Sequence, residues 1–76
     1  MKLIEIENIV KDNLDNPRIL DFNQWFVLVK FNKFDRVEYA TFKYNDNSIY
    51  SGNYFIENDA EDLARTDFYK RTREYL

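Results

Sequence analysis

Trp25-Phe26-Val27-Leu28-Val29-Lys30-Phe31 decides the fold of this chain. It contains no breaker, and its apolar residues fall on both alternation classes: Trp25, Val27, Val29 and Phe31 on one, Phe26 and Leu28 on the other. Successive side chains of an extended strand point to opposite faces of a sheet. The pattern therefore predicts a central strand, buried on both sides for much of its length.

C-terminal to it, Asn32-Lys33-Phe34-Asp35 reads as a polar turn interrupted by one phenylalanine, and Arg36 to Tyr44 as a second strand. Asn45-Asp46-Asn47-Ser48 is the clearest turn signal, because Asn and Asp bond their own backbone and tolerate left-handed geometry. A third strand, Ile49 to Ile56, contains Gly52, which points to a bulge or a close backbone approach. The last segment reads as a helix capped by Asn58, with Glu61 three positions on to complete a capping box. Its expected inward stripe is Ala60, Leu63, Ala64, Phe68, Thr72 and Tyr75, with Glu61–Arg65 and Asp67–Arg71 as i,i+4 pairs.

N-terminal to the central strand, Leu3, Ile6, Ile9, Val10 and Leu14 recur at steps of three and four, the spacing of one helix face. Asp15-Asn16-Pro17 ends that helix, since proline disfavours helical geometry in the residue before it. A strand over Lys2–Glu7 is the weaker alternative, because Leu3 breaks the alternation of Ile4 and Ile6. The expected fold is α+β: N-terminal helix, three-stranded antiparallel β-meander and C-terminal helix, with both helices packed on one sheet face. The second, aromatic-bearing face would then stand open as an interaction surface, unless the 18–24 segment folds across it.

Composition narrows the chemistry. A chain of 76 residues, 45% hydrophobic and 33% charged, is expected to form one small domain over 1–76. It holds no Cys and no His, which removes disulfides, zinc and haem sites and every Cys-His or Ser-His catalytic apparatus. With one Gly and one Pro it cannot build a glycine-rich phosphate loop. Seven Phe, six Tyr and one Trp would supply roughly half or more of the buried apolar area a fold of this length needs, so most of these rings are expected in the core. No histidine can activate Ser48 or Ser51, and Asn45-Asp46-Asn47-Ser48 lacks the glycine and distal glutamate of a calcium loop. No catalytic residue, metal or cofactor is expected.

The formal net charge of −3 disfavours generic binding to nucleic acid or anionic membrane. No run approaches a membrane span, and Glu5 and Glu7 stand where a signal peptide needs an apolar block, so a cytoplasmic protein is expected. Residues with AT-rich codons (Phe, Tyr, Met, Ile, Asn, Lys) total 35 against 10 for Gly, Ala, Arg and Pro. That bias suggests an AT-rich genome such as that of a low-GC bacterium or its phage.

Two resemblances bear on nucleic acid. Tyr39-Ala40-Thr41-Phe42-Lys43-Tyr44 partly resembles the aromatic strand motif of RNA-recognition domains, whose exposed rings stack on bases. It departs from that motif at Val37, Glu38 and Thr41, where the family has a basic residue, a glycine and an aromatic. The helix, three strands, helix order is similar to the double-stranded-RNA-binding domain. That resemblance would place phosphate contacts at the start of the last helix, where this chain has Glu57-Asn58-Asp59-Ala60-Glu61-Asp62.

Such carboxylates would repel phosphates, but they can imitate them in a basic groove of a partner protein. They also have a local reason to be there, since acidic groups at a helix start offset the macrodipole. Lys70, Arg71 and Arg73 at the other end have the mirrored reason. The leading expectation is a small non-enzymatic protein-binding inhibitor or modulator, phage- or mobile-element-encoded and anti-CRISPR-like, acting on a host nucleic-acid-handling protein such as a defence nuclease. Its contacts would be the acidic residues Glu57, Asp59, Glu61 and Asp62 and the sheet-face rings Tyr39, Tyr50 and Tyr54. The alternatives are a nucleic-acid-binding module using the sheet aromatics and a structural, self-associating protein that forms homodimers.

Overall fold

The structure, a computed structural model, describes residues 2–75. In chain order it holds helix α1 (Leu3–Asn13), strands β1 (Asp15–Phe22), β2 (Phe26–Lys33), β3 (Arg36–Tyr44) and β4 (Ile49–Phe55), and helix α2 (Ala60–Tyr75). The strands form one antiparallel sheet in the order β1-β2-β3-β4. The α+β class and the meander are as expected, but the sheet has four strands rather than three.

The added strand is β1. Asp15-Asn16-Pro17 does end α1, whose last turn closes through Leu14 N–H to the Val10 carbonyl at 2.9 Å. The chain then enters the sheet at once. Proline cannot donate to a β ladder and is confined to edges and bulges. β1 satisfies both conditions: it is an edge strand, and its register breaks between Asp15 and Arg18, where Asn16 takes φ 47° beside Pro17. Residues that read as a stop signal are thus compatible with a strand at the margin, and the 18–24 segment widens the sheet instead of folding across it.

The helices do not share a face. Ile6 and Val10 of α1 pack with Val27, Val29, Phe31, Ala40 and Phe42. Ala64 and Phe68 of α2 pack with Phe26 and Leu28 on the opposite side. The reason lies in β2, where Phe26, Val27, Leu28 and Val29 are all buried in succession. A strand apolar on both alternation classes needs a cover on each side, and one helix supplies each. The expected open aromatic face is therefore absent.

Gly52 has the role expected of it, on both counts. Between the pairs Thr41↔Asn53 and Lys43↔Tyr50, β4 carries one residue more than β3, and Ser51 takes φ 52° there. A Cβ on Gly52 would lie 2.5 Å from the Phe42 ring, so the bulge lets a buried phenylalanine sit against bare backbone.

The two hairpin turns differ in chemistry. Between β3 and β4, the Asn45 side-chain oxygen accepts the N–H groups of Asn47 and Ser48, each at 2.9 Å, a locally satisfied Asx turn. Between β2 and β3, Lys33 pairs with Arg36, leaving a two-residue loop in which Phe34 (φ 51°) and Asp35 (φ 63°) are both left-handed. That geometry matches the twist of the strands and favours Asn-Gly. A residue with a Cβ gives up about 1–2 kcal/mol in it.

α2 begins two residues after the expected cap. Its first i,i+4 bond runs from Leu63 N–H to the Asp59 carbonyl, so Asp59 holds the cap position and Asn58 precedes it. Glu61 closes no capping box; its carboxylate accepts a hydrogen bond from Arg65 at 3.1 Å, the expected i,i+4 pair. The other expected pair does not form. Asp67 and Arg71 both turn inward and meet across the hydroxyl of Thr41. Of the expected inward stripe, Ala60, Ala64 and Phe68 are buried, Thr72 is half-buried, and Tyr75, though partly exposed, meets the Phe26 ring edge-on at 5.0 Å; Leu63 is exposed.

Candidate interaction surface

A part-buried polar network centred on one buried hydroxyl joins α2 to the sheet. Thr41, fully buried in β3, donates its hydroxyl to the Asp67 carboxylate at 2.6 Å. Arg71 donates to that hydroxyl at 2.9 Å and to the Thr41 carbonyl at 3.2 Å, and its guanidinium lies 4.7 Å from the Phe26 ring centroid. Asn53 of β4 donates to Asp67 at 3.1 Å. Each group of the network has a partner, so the network docks a helix against the sheet. Among the described residues no group of three or more Asp or Glu side chains is placed to hold a metal. The cleft between α1 and β1, about 290 Å³, is walled by Leu3, Val10, Pro17 and Ile19, with Glu7, Lys11 and Arg18 as its charged groups. Among the described residues no helix is long and apolar enough to cross a membrane.

The three tyrosines expected to form one platform are divided between the faces. Directly paired residues of an antiparallel ladder share a face. Tyr54 is paired with Ala40, which belongs to the α1 side, and its ring meets Phe31 and Phe42 edge-on at 6.3 and 5.5 Å between centroids. Tyr39 packs on the α2 side with the Lys30 ammonium 6.0 Å from its ring. Tyr50, paired with Lys43, is also on the α2 side, four residues along the sheet from Tyr39 and therefore about 13 Å away. They make no continuous surface on which bases could stack.

The four carboxylates expected to act together do lie together. Glu57 and Asp59 sit in the connection from β4 to α2, Glu61 and Asp62 in the first turn of α2, and all four are exposed. Only Glu61 is ion-paired among the described residues, to Arg65, and that bond holds the Arg65 guanidinium above its usual pKa.

Sequence reasoning did not single out what lies beside them. β3 leaves the β2–β3 turn while β4 runs back toward it, with Tyr39 paired to Phe55, so this turn and the acidic corner occupy the same end of the sheet. Three apolar side chains are exposed there: Phe34 at 86%, Ile56 at 50% and Val37 at 46%. The available signal was the phenylalanine inside an otherwise polar turn. Compared with known proteins, the chain matches no family model, no curated protein and no solved structure.

Proposed function

We propose that the chain works by binding a protein, as a small inhibitor or modulator of a host nucleic-acid-handling enzyme such as a defence nuclease, encoded by a phage or mobile element. The observation that carries this reading is the acidic corner. Glu57, Asp59, Glu61 and Asp62 project from one connection and one helix turn, and three of the four have no cation bound to them among the described residues. Such an array suits a basic groove that would otherwise hold phosphates. The stacking alternative has less support, because Tyr39 and Tyr54 face opposite ways. Edge-to-edge self-assembly is disfavoured too. β1 and β4, the two edges, both carry register breaks, the device that blunts strand addition.

The test is capture of the tagged chain's partner from host lysate with and without nuclease, followed by assay of that partner's activity. A protein retained after nuclease treatment and inhibited by the chain is the expected result. Reversing Asp59, Glu61 and Asp62 to lysine should abolish inhibition and leave the helical circular-dichroism signal intact. Inhibition that survives the reversal makes the acidic stretch a helix cap and nothing more.

A further inference from the structure

We infer that Phe34 is the anchor of this interface: a single ring that seats in an apolar pocket on the partner protein, at the end of the sheet where Val37 and Ile56 are also exposed. The inference rests on the protein-binding reading above and locates the part of the surface that holds the complex together. Phe34 is the most exposed large apolar side chain among the described residues, at 86%. It stands in a left-handed position, where a bulky residue is an outlier that the surrounding structure must enforce. The same chain closes its other hairpin with Asn45 and a satisfied Asx turn, so a polar solution is within its repertoire. Phe34 therefore serves neither the core nor the turn.

Its support is rigid. Just behind the turn, Arg36 Nε donates to the buried carboxylate of Glu38 at 3.0 Å, bracing the start of β3. A convex ring on a braced two-residue loop fits a concave apolar pocket, the arrangement of interface hot spots. The Lys33 ammonium lies 5.8 Å from the Phe34 ring centroid, while Asp35 in the turn and Glu57, Asp59 and Asp62 at the same end of the sheet have no ion-pair partner among the described residues, so acidic groups outnumber the cation there and the partner's surface beyond the pocket should be basic. The same carboxylates disfavour an anionic lipid surface. The division of labour follows: the ring governs dissociation, and the rim charges govern association and its salt dependence.

The test compares Phe34→Asn, Phe34→Ala and the rim pair Glu57→Gln with Asp59→Asn. Each would be measured by surface-based kinetics against the nuclease-resistant protein that the unaltered chain captures. Phe34→Asn should weaken binding by about 30-fold or more, through faster dissociation. It should also raise the thermal midpoint by about 4–8 °C, because asparagine accepts the left-handed turn. Phe34→Ala should lose binding equally without that gain. The rim pair should slow association a few-fold and flatten the salt dependence. Binding that survives Phe34→Asn, or a lower midpoint for that variant, overturns the anchor and leaves the protein-binding reading standing. Absence of any captured protein overturns both. Sedimentation with phosphatidylcholine–phosphatidylserine vesicles that depends on Phe34 would replace the protein pocket with a lipid interface.

Discussion

The two sides of the sheet are closed by different means. On the α1 side, Ile6 and Val10 meet Val27, Val29 and Phe42, and no side-chain hydrogen bond crosses from helix to sheet among the described residues. On the α2 side, Ala64 and Phe68 meet Phe26 and Leu28, and the apolar contact is accompanied by the Thr41–Asp67–Arg71 network and by Asn23 donating to Thr72 at 2.8 Å. Apolar burial supplies attraction with little direction, so α1 is covered but weakly addressed. Directional hydrogen bonds anchored on the buried Thr41 hydroxyl favour one arrangement, so α2 is placed as well as covered. The acidic corner opens the placed helix, so its carboxylates project from fixed geometry.

Removing the one buried aromatic ring that α2 contributes should have the greatest effect. Phe68→Ala is expected to cost about 3–5 kcal/mol, much of what a chain of this length has, and to leave the protein largely unfolded near 37 °C by calorimetry. A reciprocal pair of isosteric swaps sharpens the contrast. Thr41→Val orphans the bonds of Asp67 and Arg71, and Val29→Thr puts a hydroxyl where no partner waits. Each should lower stability by about 1–3 kcal/mol in urea titrations. Equal tolerance of both swaps would mean that the network does not address α2.

The smallest expected effect concerns Tyr44, the polar tether on the α1 side, whose hydroxyl donates to the Asn23 carbonyl. Burial pushes its pKa above the usual 10.0. The unfolded chain then ionises first, so this contribution is fully present below about pH 10 and declines as pH rises from there through the folded value. Tyr44→Phe should flatten that alkaline decline.

Much of the architecture was legible in the sequence, and the failures have particular causes. The two-sided burial of Phe26 to Val29 was readable, and it already implied a cover on each face; the error was to place both helices on one. β1 was hidden because Asn16 and Pro17 are breakers everywhere except at a bulged edge. The grouping of Glu57 to Asp62 followed from their contiguity. The separation of Tyr39 from Tyr54 did not, because it depends on a register that local spacing cannot specify. The position of Phe34 was visible, but its exposure and backbone strain emerge only from the two-residue turn that Lys33 and Arg36 impose by pairing.

The strand order β1-β2-β3-β4 has a kinetic consequence. Every strand pairs only with its neighbours in the chain, so each ladder can zip outward from its own short connection without first closing a long loop. Mixed helix-and-strand domains with such local pairing fold on the order of milliseconds. A newly made copy would thus reach its working form far faster than a ribosome, adding about 5–20 residues per second, could finish the next.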